Sequence, residues 1–95
     1  MLYIKDGYML REVAEEYVVV PVGAAAKQFT GMIRLNSTAA LLWELLRDGA
    51  TEDSLVGDLC EEFAGEEGFS PELARRDVQA FIAQLCEQDL LVEKD

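Results

Sequence analysis

The sequence predicts an α+β fold in which three short antiparallel strands, all within the first 36 residues, lead into three helices. Three observations predict it. Tyr17-Val18-Val19-Val20-Pro21-Val22 concentrates β-branched and aromatic residues, which suit a pleated surface. From Ala39 to Leu46 only Glu44 is polar, so that stretch reads as a helix buried nearly all round. Ser70-Pro71-Glu72 is a helix restart: a cap, a proline at the first helical position and an acid in the first turn.

Tyr8 to Ala14 mixes apolar and charged residues as a first strand does, and Glu15-Glu16 reads as a tight turn. In the second strand Pro21 lacks an N–H, which confines it to an edge, a bulge or a strand end, and Gly23 closes the run. Ala24 to Phe29 reads as a connection. Thr30 to Leu35 is the third strand, with Ile33 and Leu35 on one face and Met32 and Arg34 on the other.

Asn36 or Ser37 caps the first helix, and Gly49 supplies its left-handed stop. Thr51 caps the second, with Glu52 and Asp53 well placed in its first turn. Leu55, Leu59 and Phe63 recur every four residues and share one face. Gly65 to Phe69 is a loop. The third helix runs to about Gln88 with Ala74, Val78, Phe81 and Leu85 as its core stripe, and Leu90-Leu91-Val92 docks as a short tail.

Size and charge bound the function. Ninety-five residues, 51% of them hydrophobic, make one domain spanning 1–95 with a modest core. Eight basic against 19 acidic residues leave a net charge of −11, which opposes nucleic-acid binding and favours basic partners. No run of about 18 apolar residues crosses a membrane, and no secretory signal opens the chain, so the expected compartment is the cytoplasm. Cys60 and Cys86 both fall in helical patterns and are expected to be reduced core residues.

Little here can do chemistry. The chain has no histidine, no phosphate-binding glycine loop, no G-x-S-x-G and no CxxC, so neither catalysis nor a metal or organic cofactor is expected. The acidic pairs Glu15-Glu16, Glu61-Glu62 and Glu66-Glu67 read as solvated surface. On the third helix a second stripe, Arg75, Gln79, Ile82 and Cys86, is half polar and half apolar. It either flanks the core or forms one wall of a groove holding a peptide whose backbone pairs with a neighbouring strand. Arg75 and Arg76 either meet an acidic ligand residue or pair with nearby Asp and Glu.

These residues resemble the PqqD-like proteins, the recognition elements of pathways that make ribosomal, post-translationally modified peptides. The likeness is carried by Tyr17 to Gly23, by Gly31-Met32-Ile33-Arg34-Leu35-Asn36 leading into Ala39 to Leu46 with Trp43, and by Thr51 to Leu59. It continues through Ala74-Arg75-Arg76-Asp77-Val78 with Phe81, Leu85 and Leu90-Leu91, and so covers about residues 9 to 92. The Ala24 to Thr30 region and the Gly65 to Phe69 loop are longer than in PqqD proper.

The resemblance implies a winged helix-turn-helix. It implies that a precursor's leader peptide adds as a strand to the third strand, in the cleft beside the third helix, for presentation to a modifying enzyme, often a radical S-adenosylmethionine enzyme. In PqqD itself the product is pyrroloquinoline quinone; lasso-peptide and thioether-peptide pathways use similar small proteins. The expected peptide site is thus Thr30, Gly31, Met32, Ile33, Arg34 and Leu35 on the strand, with Arg75, Gln79, Ile82 and Cys86 opposite. Strand order points the same way, because a meander leaves its outer strands unpaired and an unpaired edge is a template for another chain. The same edge makes a homodimer by strand pairing or exchange possible. The alternative is a winged-helix regulator bound to DNA, which net −11 with only Arg75 and Arg76 on the third helix opposes.

Overall fold

The computed structural model describes residues 1–23 and 33–94. Its elements in order are β1 (Leu2–Ile4), β2 (Tyr8–Val13), β3 (Glu16–Pro21), β4 (Ile33–Leu35), α1 (Ser37–Arg47), α2 (Glu52–Glu62), α3 (Pro71–Glu87) and β5 (Leu91–Glu93). The three expected strands are β2, β3 and β4, and they form an antiparallel sheet in the order β2-β3-β4. With the three helices this is the expected α+β, winged-helix arrangement.

The β2–β3 hairpin turns through Ala14 and Glu15, both with positive φ (51° and 68°), while Glu16 already pairs with Val13. Positive φ at both central residues is the turn whose twist matches a right-twisted ribbon. Pro21 is the last residue of β3, where its missing N–H leaves no gap in the ladder.

Each helix starts on a side-chain cap. Asn36 Oδ1 accepts the Ala39 N–H at 2.8 Å. Thr51 Oγ1 accepts the Ser54 N–H at 3.1 Å while Ser54 Oγ accepts the Thr51 N–H at 3.0 Å, a reciprocal box. Ser70 Oγ accepts the Leu73 N–H at 3.2 Å ahead of Pro71. Gly49 follows α1 with φ +95°.

The core gathers Leu42, Trp43 and Leu46 of α1, Leu55 and Leu59 of α2, the whole Ala74–Val78–Phe81–Leu85 stripe of α3, and Val19 and Leu35 of the sheet. In β4 Leu35 is buried, Ile33 packs on the core from a half-buried position and Arg34 is exposed, as strand alternation requires.

Two expectations need correction. The strands are not confined to the first 36 residues. Leu91–Glu93 forms β5 and pairs antiparallel with β1 in the register Leu2↔Glu93, Tyr3↔Val92 and Ile4↔Leu91. The tail does dock, with Leu90 fully buried, but as a strand. Cys86 is not a core residue: it lies exposed on α3, whereas Cys60 is half-buried against the core, and both are free thiols. Cys86 sits about two-sevenths of a turn beyond Leu85, enough to carry it off the buried stripe.

Candidate functional site

The sheet ends at β4, whose outer edge has no strand partner among the described residues. Where β4 stops, Asn36 caps α1 and a cleft of about 240 Å³ opens between the start of α1 and the middle of α3. Its apolar lining is Leu42 and Phe81, both buried, with Ala39 half-buried and Ala80 exposed. Its rim is polar: Asn36, Thr38, Asp77 and Gln84. An edge that no described strand covers, running into a cleft with an apolar lining and a polar rim, suits an extended peptide, which takes main-chain hydrogen bonds from the strand and side-chain contacts from the wall.

The stripe expected from the sequence does not line this cleft: its Arg75 and Gln79 line another hollow, of about 370 Å³, with Val56, Pro71, Glu72 and Arg76. At about 100° per residue, α3 carries two stripes bordering its core face. Arg75, Gln79, Ile82 and Cys86 form one; Asp77, Ala80 and Gln84 form the other, and it is the second that lines the cleft. The first is turned toward α2. Arg75 donates to Glu52 Oε2 at 2.7 Å and to Asp53 Oδ1 at 2.9 Å, and Gln79 Nε2 reaches Glu52 Oε2 at 3.4 Å. Hydrogen bonding to Asp53 in the first place, and to Glu52, raises the Arg75 pKa against the opposing effect of desolvation. Ile82 packs against the core from a half-buried position, and Cys86 is exposed.

Sequence periodicity identifies both border stripes but does not say which neighbour each one meets. Asp77, Ala80 and Gln84 are unremarkable residue types for an exposed helix face, so they carried no signal of their own. Of the expected strand residues, Ile33, Arg34 and Leu35 lie on β4 as expected, and Thr30, Gly31 and Met32 lie outside the described residues.

The electrostatics disfavour a nucleic-acid surface. Arg75 is already engaged by two carboxylates, which leaves α3 with Arg76 as its other cation on a chain of net charge −11. No described helix is long and apolar enough to cross a membrane. Among the described residues, no three His, Cys, Asp or Glu side chains are grouped to hold a metal ion.

The model of the family described as coenzyme PQQ synthesis protein D (PqqD) matches residues 7–91. The chain belongs to the PqqD family. Solved structures share the fold at low sequence identity. One, TbiB1 in complex with the TbiA(beta) leader peptide, is 19% identical with a TM-score of 0.71, covering 98% of each chain. Another, lasso peptide synthetase B1 complexed with the leader peptide, is 20% identical with a TM-score of 0.70, covering 97% of this chain and 98% of that one. No curated protein matches this PqqD-family chain in sequence.

Proposed function

We propose that this PqqD-family protein binds the leader region of a ribosomally made precursor peptide by strand addition to β4 and presents it to a modifying enzyme, without chemistry of its own. The observation that carries the reading is the edge of β4, which no described strand covers and which leads into the cleft at Asn36. Family membership supports it, as do the two structural neighbours, each described in complex with a leader peptide. The chain acts as a single unit in the cytoplasm, and its enzyme partner is of the radical S-adenosylmethionine or lasso-forming type. Self-association through β4 would compete with the peptide, because one edge accepts one strand.

In this reading Ile33 to Leu35 supply the main-chain pairing, and Ala80, Phe81 and Gln84 supply the opposite wall. Ala80 is exposed, and Ala80→Glu puts a longer side chain into the space along α3 that the peptide would occupy. Titration by calorimetry with a leader peptide encoded beside this chain's gene should show tight binding to the wild type. The Ala80→Glu variant should lose about tenfold or more, equivalent to about 1.4 kcal/mol or more. Arg75→Glu, on the stripe turned to α2, should bind nearly as the wild type does. Equal affinity for Ala80→Glu, or peptide-induced amide shifts that avoid Ile33 to Leu35, would remove the cleft from consideration. Saturable binding of duplex DNA in place of peptide would overturn the reading as a whole.

A further inference from the structure

Beyond the cleft at the end of β4 lies a second hollow of about 160 Å³, floored by Leu59, Phe63 and Phe69. Phe63 and Phe69 bracket the α2–α3 loop and their rings meet at 5.8 Å between centroids. The two hollows share Thr38 and Asp77, so they are compartments of one groove that passes over the first turn of α1. Among the described residues its charged lining is of one sign: Asp77 at the junction and Glu66 at the aromatic end. Among the described residues, no Lys or Arg lines either compartment, and Asp77 and Glu66 have no ion-pair partner.

Resting on the leader-binding reading, we infer that this groove selects a peptide segment in which a Lys or Arg lies a short, fixed distance from a large apolar residue. The cation is held at Asp77, where the two compartments meet, with Glu66 adding negative charge from the aromatic end, and the apolar side chain fills the Phe63–Phe69 compartment. The long stem of Lys or Arg suits this junction, because its methylenes can lie along Ala39 and Ala80 while its charge stays at the rim. A walled groove of one sign also concentrates field lines and attracts the opposite charge as the peptide arrives. An anionic leader residue at the same place would meet the negative charge of Asp77 and Glu66.

Asp77 has a competing structural explanation. Thr38 lies in the first turn of α1, which contains no acidic residue, so the Asp77 carboxylate is placed to complement the positive end of that helix. A purely structural Asp77 would affect stability and leave peptide preference alone. The experiment therefore reads preference.

A display library of linear random peptides, about 12 residues long, is selected against the full-length wild type, Asp77→Lys and Phe69→Ala, with folding of each checked by circular dichroism. Such a length spans about 40 Å when extended, enough for β4 and both compartments. The wild type should enrich Lys or Arg at a constant offset from Phe, Tyr, Leu or Met. Asp77→Lys should lose that basic preference, and Phe69→Ala should lose the apolar one. A peptide selected on the wild type should bind the conservative Asp77→Asn about 3- to 10-fold more weakly, a loss that shrinks at high salt. Enriched peptides that shift the Ile33–Leu35 amides but show no basic preference, or the same preference with Asp77→Lys, would overturn this inference and leave leader binding standing. Failure of the wild type to enrich any peptide would overturn both.

Discussion

Trp43 is fully buried, and its indole Nε1–H finds no acceptor among the described residues. A buried donor left unpaired costs about 1–3 kcal/mol, so this side chain stabilises the core through its area and opposes it through its one polar atom. Trp43→Phe deletes that donor but leaves a void where the second ring was. The two effects offset each other, and urea denaturation should place the variant within about 1 kcal/mol of the wild type. Trp43→Ala loses the packing as well and should cost about 3–5 kcal/mol. A loss above about 3 kcal/mol for Trp43→Phe would mean that the indole N–H makes a bond worth keeping. Trp43 was legible in the sequence as a core residue, because a helix with one polar residue in eight has nowhere to face but inward. Its unpaired nitrogen was not, because satisfaction of a buried donor depends on atoms far away in the chain.

Among the elements, the β2–β3 hairpin carries a visible cost. Its turn holds Ala14 and Glu15 at positive φ, a conformation that disfavours any side chain with a Cβ and that Asn-Gly adopts readily. Replacing Ala14-Glu15 by Asn-Gly should raise stability by about 1 kcal/mol, read as a higher urea midpoint with an unchanged slope. An unchanged or lower midpoint would show that the turn is not strained in the free protein. Local signals made most elements readable: β-branched runs gave β3, and Asn36, Thr51 and Ser70 gave the helix starts. The β1–β5 ribbon escaped because each strand is three residues long and the partners lie at opposite ends of the chain, so neither has a local pattern that needs the other. The ribbon is joined to the helices by the Leu2–Ala50 bridge and by Tyr3 lying against Gly49, where an added Cβ would come within 2.6 Å of the ring. The surroundings of the candidate site were legible only in part for the same reason. The β4 edge follows from strand order, whereas the engagement of Arg75 and Gln79 by Glu52 of α2 depends on a tertiary contact that no local pattern announces.

At the scale of the whole molecule, 19 acidic residues on 95 place most of the surface under its own repulsion. Among the described residues the ion pairs that oppose it are few and mostly exposed: Lys5–Asp89, Arg47–Glu44, and Arg75 with Asp53 and, half-buried, with Glu52. Exposed pairs contribute little and are screened as readily as the repulsion is. The unbalanced charge therefore outweighs them, and salt should stabilise the fold: the urea midpoint should rise between about 20 mM and about 300 mM NaCl. Peptide binding should respond in the opposite direction, because a cation held at Asp77, with Glu66 adding negative charge, is screened over the same range. A set of calorimetric and denaturation measurements across one salt series reads both slopes on one protein. A midpoint that falls with salt would show that the ion pairs outweigh the repulsion. A peptide affinity that does not change would mean that the carboxylates of the groove are spectators, held there for the positive end of α1 alone.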